Sequence, residues 1–183
     1  GDYFDRINSG FTLSPRGSLS YVLDEVSSVS FSTGLYHQSP SYLWLASFNQ
    51  NENLKPVKVI QYVAGYERRL TSDLRLKVEA FYKDYSDYPA SLLRPYLVLA
   101  NTGVGFGGSD ENFGSLGLEP LISAGKGFAR GLEFSLQKKS SDTPGYGILS
   151  VTYNESFFKG LDGIERAGSF DQKWIINLSG GYS

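Results

Sequence analysis

Taken every second residue, much of this chain separates into a greasy face and a polar one. In "FARGLEFSLQK", Phe128, Leu132, Phe134 and Leu136 alternate with Ala129, Gly131, Glu133, Ser135 and Gln137. "GILSVTYNESFF" sets Leu149, Val151, Tyr153 and Phe157 against Ser150, Thr152, Asn154 and Ser156, and "DQKWIINLSGGYS" sets Trp174, Ile176, Leu178 and Tyr182 against Lys173, Asn177, Ser179 and Gly181. "SVSFSTGLY" opposes Val29, Phe31 and Leu35 to Ser30, Ser32 and Gly34. Such alternation puts successive side chains on opposite faces of a strand. One segment is ambiguous: in "SDLRLKVEAFYKDYSDY" (72–88), Leu74, Val78, Phe81, Tyr82 and Tyr85 also form a helical stripe. Its neighbour decides. "VIQYVAGYERRL" (59–70) ends just before it, and a hairpin loop at 71–73 sets Leu70 opposite Leu74, Glu67 opposite Lys77 and Tyr62 opposite Tyr82. A loop longer by two would oppose Glu67 to Glu79 and Arg69 to Lys77, which like-charge repulsion disfavours. The favoured register still sets Arg69 against Arg75.

The connections add a second pattern. A strand at about 16–23, a turn at 24–27 and a strand to Tyr36 lead into a long loop, 37–57. The hairpin at 71–73 is followed by a very long loop, 87–127, then by a strand, a turn at 140–145, a strand, a medium loop at 159–169 and a last strand. Short and long connections alternate, so the long loops gather at one end of the strands and the tight turns at the other. Strands of about a dozen residues exceed the usual ~5–6, and structureless loops beyond ~12–15 residues are uncommon in compact domains. Long strands, asymmetric ends and an apolar/polar dyad predict an all-β fold, an antiparallel transmembrane β-barrel whose outer face meets lipid. On that reading Glu67, Arg69, Arg75, Lys77, Glu79, Glu133 and Gln137 face the lumen, while Tyr62, Tyr66, Tyr82, Phe134, Tyr153, Trp174 and Tyr182 point outward. About seven strands fall short of the even numbers, from 8 upward, that close such barrels, so the chain reads as an arc of a larger one. A soluble β-sandwich is the alternative, since alternation occurs there too.

Composition narrows the chemistry. Within 183 residues the net charge is −2, with acids and bases interspersed, which leaves no basic field for nucleic acid. The absence of cysteine removes disulfides, thiolate metal sites and cysteine nucleophiles. No apolar run approaches the ~18 residues of a membrane helix. With no methionine and no leader ahead of Gly1, the chain is read as a processed or excised piece.

Few residues suggest reaction chemistry. "GVGFGG" (Gly103–Gly108) matches the spacing of a dinucleotide fingerprint, but no helix follows it, and loop flexibility is the simpler use of its glycines. His37 is the only histidine and has no triad partner beside it; at a strand end next to Gln38 it is either a ligand contact or merely solvated. "SDEN" (109–112), Asp162 and Glu165 lack the spacing of a calcium loop. No catalytic residue, metal or cofactor is assigned, and no enzyme activity is expected. Aromatic side chains in and beside the long loops are the better binding candidates, because exposed rings anchor ligands and partners. With the strand-end polar residues they make the candidate set Tyr36, His37, Gln38, Tyr42, Trp44, Tyr96, Phe106 and Phe113, against the alternative that these rings pack the loops together.

In order along the chain, "SPRGSLSYVL", "FSTGLYHQSPSY", "NLKPVKVIQYVAGYERRL", "LRLKVEAFYKDYSDYP", "GKGFARGLEFSLQKK", "GILSVTYNESFF" and "GSFDQKWIINLSGGY" resemble the C-terminal half of TonB-dependent outer-membrane receptors. Val57 stands where that pattern often has an acid, and Lys173-Trp174 where it has an Arg/His pair. The resemblance implies a 22-stranded barrel around an N-terminal plug, with residues 1–183 forming part of the C-terminal barrel region and no plug in the chain. It further implies an outer-membrane location in a Gram-negative bacterium and uptake of a large scarce nutrient, such as a ferric siderophore or oligosaccharide, with TonB-derived energy. The implied partners are the rest of the barrel and its plug, TonB acting through that plug, outer-membrane lipid and lipopolysaccharide, with a surface lipoprotein as a further candidate. Glu67, Lys77 and Glu79 then either touch the plug or pair with each other. An outer-membrane adhesin or structural barrel that binds through its loops, and a soluble β-rich binding module, are the competing functions.

Overall fold

The computed structural model describes residues 12–100, 117–141, 144–168 and 171–182. They form one antiparallel sheet of β1 (Arg16–Asp24), β2 (Ser27–Gln38), β3 (Val57–Arg69), β4 (Leu74–Ser91), β5 (Leu121–Lys138), β6 (Gly145–Lys159), β7 (Glu165–Ala167) and β8 (Trp174–Tyr182). Each strand from β1 to β6 pairs with the next, and β7 and β8 occupy successive stretches of the far edge of β6. The last strand is thus one interrupted strand, its gap stitched by Gly168 N–H to Ser156 O at 2.8 Å and Ser156 N–H to Asp171 Oδ1 at 3.0 Å. The sheet does not close on itself among the described residues.

The central hairpin adopts the expected register: Tyr62 faces Tyr82, Glu67 faces Lys77 and Arg69 faces Arg75. The opposed arginines are relieved as their neighbours allow. Arg75 reaches Glu67 Oε1 at 3.1 Å and Gln137 Oε1 at 3.0 Å, while Arg69 donates to the Glu25 carbonyl at 3.0 Å.

Register carries the two-face pattern across the sheet. Tyr21, Val29, Tyr66, Val78, Phe134, Val151 and Ile176 form one apolar row; Leu19, Phe31, Ala64, Ala80, Leu132, Tyr153 and Trp174 form the next. Many of these side chains are exposed, with Ile176 at 68 % and Trp174 at 66 %. The opposite face is polar, with Ser28, Glu67, Lys77, Ser135, Ser150 and Asn177 in one row. A sheet that leaves its greasy face uncovered has its hydrophobic partner outside the chain.

Glycine on the polar face makes room for rings. Gly131 lies opposite Phe81 on one side and Asn154 on the other, and a Cβ there would run into the Tyr153 carbonyl and the Phe81 ring. At Gly127 the same space is taken by Phe158, which meets Tyr85 and Tyr88 at ring-centroid distances of 5.6 and 5.4 Å across the intervening strand. Because a backbone oxygen blocks the site, Gly131→Ala is expected to cost about 1–3 kcal/mol through overpacking. Urea unfolding of the receptor in detergent micelles measures it.

Three departures from the sequence expectations stand out. β4 and β5 each run for 18 residues, so the connection spans 92–120 rather than 87–127. The cause is a pair of compensating bulges at Tyr85/Tyr88 and Tyr88/Pro89, with Asp87 at φ 61°, which interrupt the alternation while pairing continues above it. The first long loop folds into a short helix, α1 (Tyr42–Ser47), and a 3-10 turn (Asn49–Asn53). Finally, the loop expected at 159–169 contains β7.

Candidate functional site

Among the described residues the buried leucine cluster lies where the long loops meet the strand ends, not along the middle of the sheet. Leu45 of α1, Leu54, Leu99 and Leu121 form a cluster against which Trp44 and Leu97 pack. Local sequence explains each wall. After β4 the chain turns at Arg94–Leu97, with Leu97 N–H bonded to Arg94 O at 2.8 Å. It then folds back on the strand tip, where Leu99 N–H reaches Pro89 O at 2.9 Å. Pro89, which cannot donate, thus still receives a partner through its carbonyl.

Two buried polar groups lock the loops together. Asn51, fully buried, donates through Nδ2 to Trp44 O at 2.8 Å, Ser47 Oγ at 3.0 Å and Glu119 O at 3.0 Å, and its Oδ1 accepts from Leu121 N–H at 2.8 Å. Ser91 Oγ donates to Glu119 Oε2 at 2.6 Å and accepts the N–H groups of Leu93 and Arg94 at 3.2 and 2.9 Å. The Arg94 guanidinium grips the same carboxylate from both Nε and Nη2. Burial alone would push the Glu119 carboxyl up, but the bonds from Arg94 and Ser91 and the charge of Arg94 outweigh it, leaving it below the ordinary glutamate range.

A carboxyl with a lowered native value contributes stability that is present above its unfolded value, about 4.3, and lost as pH falls through the lower folded one. Amide-exchange protection of residues 91–99 is therefore expected to hold at neutral pH and to fall on acidification below about 4.3. In Glu119→Gln that acid-dependent loss should be much reduced.

The joined loops, residues 42–54, 91–99 and 117–121, make a cap over the strand ends that presents apolar side chains outward. Leu43 is 72 % and Leu93 69 % exposed, Tyr42, Phe48 and Tyr96 are exposed near them in sequence, and Leu118 and Ile164 are exposed in the connections that precede β5 and β7. A second loop joins the turn at Tyr96, where Asp162 N–H bonds Pro95 O at 3.2 Å and the Arg166 guanidinium lies 6.0 Å from the Tyr96 ring centroid.

The candidate residues distribute unevenly. Tyr42 and Tyr96 are exposed on the cap, whereas Trp44 is half-buried and packs against Gly117, whose φ of 86° suits glycine. Tyr36, His37 and Gln38 do not converge, because they alternate along β2. Tyr36 lies on the polar face with the Arg16 guanidinium 4.3 Å from its ring centroid, and Gln38 shares that face. His37 falls on the apolar-face side, with Nδ1 3.1 Å from Ser14 Oγ. Phe106, Phe113 and the 103–108 glycines lie outside the described residues. Glu67, Arg69, Arg75, Lys77, Glu79 and Glu133 all share the polar face, with Lys77 Nζ 2.6 Å from Glu79 Oε2 and Glu133 directly opposite Glu79. Sequence reasoning passed over Asn51, Ser91, Arg94 and Glu119. The only hint was the apolar run "SLLRPYLVL" (91–99) inside a supposed open loop.

The arrangement is a binding surface carried on a two-faced sheet. No group of histidine, cysteine or acidic residues fit to hold a metal occurs among the described residues. No curated protein sequence matches the chain. The family described as "TonB dependent receptor-like, beta-barrel" matches over residues 2–183; it is a family of transport receptors, not enzymes, in the outer membrane of Gram-negative bacteria. With that match across nearly the whole chain, and an open antiparallel sheet of the same kind, the chain belongs to the TonB-dependent receptor β-barrel family.

Proposed function

We propose that residues 1–183 form part of the C-terminal barrel region of a receptor that takes up a large, scarce nutrient across the outer membrane with TonB-derived energy. The observation that carries the reading is the cap. Its loops are held by buried hydrogen bonds and an apolar cluster, yet they expose Tyr42, Leu43, Leu93 and Tyr96. A preordered surface binds with less entropic cost than a floppy one, and exposed aromatic and aliphatic side chains suit a ligand with apolar faces, such as a siderophore or oligosaccharide. On this reading Glu67, Arg69, Arg75, Lys77, Glu79 and Glu133 line the lumen. There they meet a plug, through which TonB acts.

The test is growth and radiolabel uptake on a panel of ferric siderophores and oligosaccharides. Cells carrying the intact receptor are compared with cells lacking it and with cells lacking TonB. Loss of uptake of the same compound in both mutants is the expected result. Uptake that persists without TonB, or a receptor needed only for adhesion, overturns the reading.

A further inference from the structure

An ion pair sits inside the apolar band of the outward face. Along β5 and β6 the outward pairs run Leu136/Leu149, Phe134/Val151 and Leu132/Tyr153, then Arg130/Glu155, then Phe128/Phe157. Arg130 lies eight residues along β5 from Lys138, which at about 3.3 Å per residue and a ~40° tilt puts it roughly 20 Å up an apolar band ~25 Å tall. Its Nε donates to Glu155 Oε2 at 3.0 Å and its Nη2 lies 2.9 Å from the same oxygen, while Tyr153 OH donates to Glu155 Oε1. Arg130 Nη1 has no partner among the described residues, and the side chain is 60 % exposed beside the Phe128 ring.

The pair is therefore neutral but not saturated. A guanidinium has five N–H donors and a carboxylate about four acceptor sites, so both groups keep capacity for a further partner. Acyl chains offer none, and ionisable side chains at this depth are costly unless protein covers them. Two opposite charges side by side on one face are complementary to the same pair after a half-turn. On adjacent tilted strands they differ in height by only about 3 Å, so a two-fold axis along the membrane normal brings each guanidinium to the other copy's carboxylate. One row below, Ala64 and Ala80 lie between Phe31 and Leu132 and leave the neighbouring face shallow, which lets a second backbone approach. We propose that two copies of the receptor associate side by side in the membrane about such an axis, Arg130 of each bonded to Glu155 of the other. This rests on the outer-membrane reading of the chain.

The test co-expresses the full-length receptor under two affinity tags, extracts the outer membrane in mild detergent, and measures how much of the second tag is captured with the first. Parent copies co-capture. Arg130→Glu on both tags sets only carboxylates against one another, and Glu155→Arg on both sets only guanidinium groups; each lowers co-capture roughly tenfold or more. Arg130→Glu on one tag with Glu155→Arg on the other restores it, although neither copy then keeps its internal pair. A role confined to one copy does not produce that recovery. If the charge-reversed copies lose their heat-modifiable mobility, Arg130→Gln/Glu155→Gln should lower co-capture about fivefold. Parent copies that are captured singly, a mixed pair that does not recover, or a neutral variant that associates like the parent overturns the proposal, as does each tag held instead by some other protein in fixed ratio. A receptor that fractionates with the outer membrane yet is captured singly defeats this inference alone; one absent from that fraction defeats the membrane reading.

Discussion

Arginine in place of Val78 is expected to destabilise the barrel by about 2–4 kcal/mol, the cost of a cationic side chain on the lipid face near the bilayer midplane. Val78 sits in the middle of the apolar rows, between Tyr66 and Phe134 and one pair from Ala80 and Leu132. No acid lies in its row, so the guanidinium has nothing to pair with and must be dragged toward an interface or left poorly solvated. The polar face behaves otherwise. Thr152 faces Glu133 on the neighbouring strand, so Thr152→Lys gains a carboxylate and should stay within about 0.5 kcal/mol of the parent. Reversible unfolding of the receptor in lipid vesicles compares the two. Equal costs would mean that the faces do not differ in their solvent.

Asn51→Ala should disable the cap while leaving the strands intact. The side chain makes four hydrogen bonds in a site without solvent, and its loss leaves Leu121 N–H and Glu119 O buried without that partner. Each orphaned group costs about 1–3 kcal/mol, so the cap should loosen by roughly 2–6 kcal/mol. Asn51→Asp should not rescue it, since it restores the acceptor but not the donors and buries a charge. Hydrogen exchange reads the effect directly: residues 42–54, 91–99 and 117–121 lose protection, and the spans 59–69 and 74–84 keep theirs. Nutrient uptake should fall with the cap, because the exposed Tyr42, Leu43, Leu93 and Tyr96 no longer hold fixed positions. A cap that stays protected without Asn51 would show that the leucine cluster alone suffices.

The strands were legible in the sequence because their determinants are local and repeated. Alternation marked both faces, and charges at Glu67, Arg69, Arg75 and Lys77 selected one register of the hairpin. That logic stopped at Asp87. A residue at φ 61° in a double bulge breaks the period, so the upper parts of β4 and β5 looked like loop although they are paired. The cap was hidden for a different reason. Asn51 bonds partners 68 and 70 residues away, and Glu119 bonds Ser91 and Arg94 from 28 and 25 residues away. Nothing in the run "NQNEN" distinguishes the buried asparagine from its exposed neighbours. Trp44 shows the limit from the other side: its place in a long loop fitted a binding ring or a packing one equally, and only the structure shows it packed against Gly117 and the leucine cluster.

This chain contains no cysteine, so in a receptor whose other cysteines, if any, are replaced, single cysteines at each position from 75 to 84 can carry a spin label after reconstitution in lipid bilayers. Collision rates with oxygen, which concentrates in the bilayer, should rise at 76, 78, 80 and 82 and fall at 75, 77, 79 and 81, the alternation set by the strand's two faces. A flat profile, or one with helical periodicity, would contradict the membrane-spanning, two-faced sheet.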